Sequence, residues 1–179
     1  MKKPNILLIT TDQQRYDTIG AAGYPFMKTP NLDMLAGEGC IYPCAYSSNP
    51  VCMAARHNIL TGLTARYHGF DDNYFDDDPR VIPYELPTLP QLLSDAGYDT
   101  IAVGKMHFQP CRRHNGFTKM ELMEEIPRFL EDDDYAMYLR ENGYENIQSI
   151  HGVRHLLYML PQRSLVDAEH HGSSWVAER

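Results

Sequence analysis

The sequence lacks a long apolar run. The apolar stretch near its N terminus, Ile6 to Ile9, has only four residues and follows the basic Lys2 and Lys3. A signal peptide needs an apolar region of about 7 to 15 residues, and a membrane-spanning helix needs about 20. We therefore expect a protein without a membrane segment, located in the cytoplasm.

Positive charge is also scarce. Lys and Arg total 16 against 24 Asp and Glu, which gives a formal net charge of -8. Nucleic acids and acidic membrane surfaces would repel such a chain overall. We therefore expect neither nucleic acid nor membrane as a partner, although a local basic pocket for one anion remains compatible with this composition.

The four cysteines contain no CxxC pair, and the sequence has no internal repeat or low-complexity segment. Free thiols are the default in a cytoplasmic protein, so we expect no disulfide framework. A chain of 179 residues can form one domain with a sizeable core.

Short apolar runs alternate with capped helical segments along the chain, which predicts an α/β fold with a mostly parallel sheet. A strand is predicted at 6–9, a strand or extended segment at 40–46, and a strand at 98–103. Helices are predicted from Pro30 to Gly37 or Gly39, and at 52–61, 88–97, 132–143 and 153–160.

Polar residues follow two of the predicted strands. Asp12 and Gln13 come after the first strand, and Lys105 and His107 come after the strand at 98–103. Ligands of open α/β sheets bind beyond the carboxyl ends of the strands. The sequence therefore predicts that Lys105 and His107 lie at the same sheet edge as Asp12.

The stretch from Pro50 to Gly62 combines a cysteine with an arginine. Cys52 and Arg56 are four residues apart at the predicted start of a helix, so they share a face. The free N–H groups of a helix N-terminus and a nearby guanidinium both favour an anion. This pattern predicts a binding site for an anionic ester. The alternative for Cys52 is a buried free cysteine without such a role.

Together these segments resemble the type I sulfatases of the alkaline-phosphatase superfamily. The run from Gly97 to His107 fits the family's signature from glycine-tyrosine to glycine-lysine-x-histidine, and Cys52 with Arg56 fits its cysteine motif. Ala54 stands where that motif has proline, and Gln13 stands where many sulfatases have a second aspartate. The resemblance implies an α/β sandwich of the alkaline-phosphatase type, apparently truncated.

The resemblance also implies roles for four residues. Cys52 would be converted to formylglycine by a maturation enzyme, and its hydrated aldehyde would attack sulfur. Arg56 would steady the diol, Lys105 would bind sulfate, and His107 would hydrogen-bond to the diol. Lys105 and His107 could otherwise be solvated residues at a strand end.

By the same resemblance Asp12, Gln13 and the modified Cys52 are candidate ligands of a divalent metal, with Ca²⁺ favoured and Mg²⁺ possible. Asp12 could instead cap the following turn, and Gln13 could be a bystander. Arg113 and His114 are candidate substrate-binding residues, or they form an ordinary basic turn.

Sulfatases are well over twice as long as this chain. Residues 1–179 are therefore expected to be the N-terminal part of a single catalytic domain, with a missing C-terminal half as a possible partner. The implied function is hydrolysis of a sulfate ester on a carbohydrate or an aryl alcohol. The alternatives are a phosphonate or phosphate ester hydrolase, and an inactive truncated product that at most binds an anion or a partner.

Overall fold

The computed structural model describes residues 3–74, 78–125, 127–145, 150–151 and 160–179. The chain forms two compact units, Met1–Ser47 and Ser48–Arg179. The described helices are α1 (Pro30–Glu38), α2 (Cys52–Thr61), α3 (Ala65–His68), α4 (Leu89–Asp95), α5 (Asp134–Glu141) and α6 (Gly172–Ala177), and the strands are β1 (Ile101–Gly104) and β2 (Lys119–Leu122). None of these helices is long and apolar enough to cross a membrane.

The first unit contains α1, which begins at Pro30 as predicted and ends before Gly39. Proline suits the first helical position because the N–H group that it lacks has no partner within the helix there. The Thr29 hydroxyl donates to the Asp33 carboxylate at 2.9 Å, and that carboxylate also accepts the N–H of Ala21 at 2.7 Å. These bonds tie the short turn Gly20–Ala22 to the helix.

The prediction of a strand at Ile6 to Ile9 is wrong for the described structure. These residues pair with no described strand, and their exposed fractions are 62, 84, 62 and 70%. The segment at 40–46 also forms no strand within the described residues and contains a turn at 43–44. An apolar run indicates that a segment can be buried, but a strand forms only where a second segment accepts its backbone hydrogen bonds.

The second unit contains a two-stranded parallel sheet, as expected for the α/β class. β1 and β2 pair in parallel, with Ile101 opposite Lys119 and Gly104 opposite Leu122. Alternate residues of both strands are buried, as the two-residue period of a strand requires. The sequence predicted β1 but not β2, because Lys119 and Glu121 leave β2 without an apolar run.

Two apolar clusters form the core of this unit. The first joins α2 to the sheet, and its buried members are Met53, Leu60, Phe70, Ile82, Ala102, Phe108, Met120 and Leu122. The second lies around α5 and α6, and its buried members are Tyr135, Leu139, Val166 and Trp175. Because Met53 and Leu60 belong to α2, the packing of the first cluster fixes that helix against β1 and β2.

The helix boundaries follow the predicted capping signals closely. α2 ends at Gly62, which has a left-handed φ of +68° and donates its N–H to the Asn58 carbonyl at 2.8 Å. Thr88 caps α4 by accepting the N–H of Gln91. α6 begins at Gly172, and the His171 side chain caps it by accepting the N–H of Ser173. In the helix predicted at 153–160, residues 153–159 lie outside the described residues.

Candidate active site

Cys52 is the first residue of α2 and is partly buried. The ammonium Nζ of Lys105 lies 3.6 Å from its Sγ atom. The first turn of α2 contains no acidic residue, so the positive end of the helix dipole is not offset there. The helix N-terminus and the ammonium together stabilise negative charge at residue 52.

Lys105 follows the last residue of β1, and its side chain is only 9% exposed. Gly104 has a φ of +95°, which favours glycine and turns the chain out of the strand. The Lys105 carbonyl accepts a hydrogen bond from the Arg56 guanidinium at 2.5 Å. Arg56 therefore connects α2, one turn after Cys52, to the residue that carries the ammonium.

The backbone at His107 is held by a buried carboxylate, that of Glu124. His107 has a left-handed φ of +53°, a conformation that costs about 1–3 kcal/mol in a residue other than glycine. Glu124 is 5% exposed and accepts the N–H groups of Met106 at 3.0 Å and His107 at 2.9 Å. Burial raises the pKa of Glu124, while these two hydrogen bonds favour its charged form and act against the rise. Glu124 thus stabilises the turn that carries His107.

A second acidic residue reaches the lysine. Glu125 Oε2 lies 2.8 Å from Lys105 Nζ, and the Glu125 side chain is 32% exposed. Sequence reasoning missed Glu124 and Glu125 because it did not recognise β2. Two adjacent carboxylates just beyond the carboxyl end of a parallel strand would otherwise have marked the same sheet edge as Lys105.

Asp12 and Gln13 lie in the first unit, and both are exposed. Gln13 has a left-handed φ of +56°, which is uncommon for a residue other than glycine. A carboxylate and an amide oxygen fit a hard divalent cation by their chemistry. Among the described residues, however, no group of three or more His, Cys, Asp or Glu side chains could hold a metal ion. The donor types fit the predicted metal, while a complete ligand set is not assembled in this part of the chain.

The basic residues between β1 and β2 have separate surroundings. Arg112 forms a two-point ion pair with Asp134, at 2.8 and 2.9 Å. The Arg113 guanidinium stacks over the Tyr84 ring, 4.2 Å from its centroid, and His114 is exposed. Arg112 therefore links the segment between β1 and β2 to α5. Substrate binding by Arg113 and His114 stays a prediction.

His57 lies on the buried face of α2, and none of its surface is exposed. Its ring stacks on Phe70 with 4.0 Å between centroids, and Nδ1 lies 2.6 Å from the Met53 carbonyl. Its Nε2 atom finds no hydrogen-bond partner among the described residues. Burial lowers the pKa of His57 from 6.5 to about 4. The ring is therefore a neutral part of the core on the buried face of α2.

We expect His57 to make the protein less stable in acid. An unfolded chain binds a proton at this residue below pH 6.5, whereas the folded protein resists protonation down to about pH 4. The free energy of unfolding should therefore fall as pH decreases through this window, by up to about 3 kcal/mol, and recover above it. Urea unfolding of the wild type and His57→Gln at pH 7 and pH 4.5 measures the effect, which the variant should lack.

The matched control for this experiment is His114→Gln, which removes an exposed histidine. Burial raises the pKa values of Glu124 and Asp133, and these groups stabilise the folded state as pH falls. Comparing each variant with the wild type cancels their contribution. If His57→Gln shows the same pH dependence as His114→Gln, the ring does not cause the acid sensitivity.

A family model and two known proteins similar to this chain all indicate the same family. The family model described as Sulfatase matches residues 4–164. An arylsulfatase of Clostridium perfringens is 38% identical over 163 residues, which cover 83% of this chain and 32% of the relative. An N-acetylgalactosamine-6-sulfatase of Canis lupus familiaris is 39% identical over 112 residues, which cover 58% of this chain and 22% of the relative. The chain thus spans at most about a third of the length of these two relatives.

The fold also matches a solved structure. The phosphonate monoester hydrolase of Agrobacterium radiobacter superposes with a TM-score of 0.73 at 23% identity. The match covers 98% of this chain and 37% of that hydrolase. At this level of identity the likeness concerns the fold alone, and it agrees with the α/β architecture of the alkaline-phosphatase type.

Proposed function

This chain belongs to the sulfatase family, and on that basis we propose that the complete gene product hydrolyses sulfate esters with residue 52 as its nucleophile. The observation that carries the proposal is the Lys105 ammonium, 3.6 Å from Cys52 Sγ at the N-terminus of α2. A nucleophile beside a largely buried cation is suited to an ester whose transferred group is an anion.

The residues around Cys52 have distinct tasks in this proposal. The Lys105 ammonium binds the charged oxygens of the ester, and Arg56 holds the Lys105 backbone in place. Glu124 fixes the turn that presents His107, which we propose hydrogen-bonds to the nucleophile. A maturation enzyme would convert Cys52 to formylglycine, whose hydrated aldehyde supplies the attacking hydroxyl group.

We also propose that Asp12 and Gln13 contribute oxygen ligands to a divalent metal, with Ca²⁺ favoured and Mg²⁺ as the alternative. Their donor atoms suit either cation. When bound, the cation would polarise the sulfate oxygens and so favour attack at sulfur. The left-handed backbone at Gln13 supports the proposal, since strained residues cluster at functional sites.

The names of the relatives support a proposal for the substrate class. One is an arylsulfatase and another is an N-acetylgalactosamine-6-sulfatase, so we propose an aryl sulfate or a sulfated carbohydrate as substrate. Because the chain spans 32% and 22% of these relatives, we propose that it forms the N-terminal part of one catalytic domain. The remaining metal ligands would then come from a C-terminal remainder.

Paired substrates test the proposed activity. The complete gene product, expressed together with a formylglycine-generating enzyme, should hydrolyse 4-nitrophenyl sulfate with a higher kcat/KM than the 4-nitrophenyl ester of phenylphosphonate. The same cation and nucleophile could serve either monoanion, so the ratio decides between the two activities. A higher kcat/KM on the phosphonate would replace the proposal with a phosphonate ester hydrolase, and no turnover of either would indicate a catalytically silent product.

A further inference from the structure

We propose that Glu125 is a specificity-determining residue whose carboxylate, placed against Lys105, disfavours dianionic esters relative to monoanionic ones. The inference rests on the proposed function, because it concerns which anion the site at Cys52 accepts. Sulfate esters and phosphonate monoesters carry one negative charge on the transferred group. Phosphate monoesters carry close to two at neutral pH.

The geometry places one acid and one nucleophile against the same ammonium. Lys105 Nζ lies 2.8 Å from Glu125 Oε2 and 3.6 Å from Cys52 Sγ. A group bound at residue 52 and in contact with this ammonium therefore also lies close to the Glu125 carboxylate. The affinity of the site for this group therefore depends on the charges of both Lys105 and Glu125.

Partial burial of Lys105 and Glu125 strengthens the electrostatic effect of their charges. The Lys105 side chain is 9% exposed and that of Glu125 is 32% exposed, so water screens their fields less than at an open surface. The lysine attracts each negative charge of the ester, and the glutamate repels each one. Glu125 therefore offsets part of the attraction of Lys105, and its repulsion of a dianionic ester is about twice its repulsion of a monoanionic one.

Glu125 differs from its neighbour in what it contacts. The Glu124 carboxylate accepts the backbone N–H groups of Met106 and His107 and is buried, so its role is to hold the turn. The Glu125 carboxylate instead contacts the side-chain cation that faces the nucleophile. Glu125→Gln removes the charge and keeps an oxygen that can accept a hydrogen bond from Lys105.

The first test measures charge at the site without requiring catalysis. Cys52 in unmatured protein is alkylated with iodoacetate, an anion, and with neutral iodoacetamide, and peptide mass spectrometry gives the rate at each cysteine. The same thiolate attacks both reagents, so a change in its reactivity cancels from the ratio of the two rates. We expect Glu125→Gln to raise the iodoacetate-to-iodoacetamide ratio at Cys52 by about threefold or more.

Two controls accompany this measurement. Glu141→Gln makes the same change in charge at the exposed end of α5 and should leave the Cys52 ratio unchanged. The exposed Cys40 and Cys44 report on the reagents within every sample. An unchanged ratio at Cys52 in Glu125→Gln would overturn the inference.

The second test measures selectivity in the matured complete gene product. We expect Glu125→Gln to raise kcat/KM on 4-nitrophenyl phosphate relative to 4-nitrophenyl sulfate by about tenfold, with Glu141→Gln at the wild-type ratio. If Glu125 only positions Lys105, both substrates should lose kcat/KM equally, and that result would also overturn the inference. If the wild type hydrolyses neither ester, the proposed function fails, and the alkylation ratio alone decides whether Glu125 sets the charge at Cys52.

Discussion

Cys52→Ala in the complete gene product is expected to reduce sulfate ester hydrolysis by at least about a thousandfold, since removing the nucleophile of a covalent mechanism leaves only binding and electrostatic contributions. The variant should still fold, because Cys52 is only partly buried and lies at the first position of α2, where alanine is well accepted. Initial rates on 4-nitrophenyl sulfate at matched protein concentration measure the loss. Cys40→Ala, which changes an exposed cysteine, should retain the wild-type rate.

Mass spectrometry of the peptide that contains residue 52 adds a second readout to this prediction. Active, cell-derived protein should carry an aldehyde at residue 52, and the aldehyde fraction should follow the specific activity of each preparation. Cys52→Ser distinguishes the modified side chain from a simple hydroxyl group and should be inactive unless the serine is itself converted. An intact thiol at residue 52 together with full sulfatase activity would falsify the assignment.

The helices could be predicted from sequence because their signals are local. Pro30 and Gly39 bound α1, and Thr88 caps α4, through contacts made within a few residues. The strands could not be predicted with the same success, since pairing joins distant segments. Ile6 to Ile9 has the composition of a buried strand and is exposed in the described structure, whereas β2, with two charged residues among its four, pairs with β1.

Only part of the candidate site could be predicted from the sequence. The family resemblance assigns Lys105 and Cys52 to one site, and the structure places Lys105 Nζ 3.6 Å from Cys52 Sγ. Glu124 and Glu125 carry no motif, and their importance depends on β2 ending beside β1. Residues that position or neutralise a catalytic group are therefore harder to predict than the group itself, because their partners are fixed by tertiary structure.

Lys105→Ala is expected to lower kcat/KM on 4-nitrophenyl sulfate by about 10²–10³-fold, the loss typical when one preorganised donor to a developing charge is removed. The structure adds a second cause for this loss. Without the ammonium, the Glu125 carboxylate loses the cation that it contacts, and its charge then repels the anionic substrate. Lys105→Ala combined with Glu125→Gln should therefore recover part of the loss, although both variants lack the binding cation.

Two further variants separate the charge of Lys105 from its position. Lys119→Ala removes a lysine that is 61% exposed and pairs with Glu121 on β2, so it should leave kcat/KM near the wild-type value. Lys105→Arg keeps the positive charge on a larger, planar group and should retain more activity than Lys105→Ala. A loss of only a few-fold in Lys105→Ala would contradict the sulfate-binding role, and no recovery in the double variant would show that Glu125 does not repel the substrate. In the double variant neither residue 105 nor residue 125 is charged, so the substrate meets no cation and no carboxylate there. Its gain in kcat/KM over Lys105→Ala therefore measures how strongly the Glu125 charge acts at residue 52.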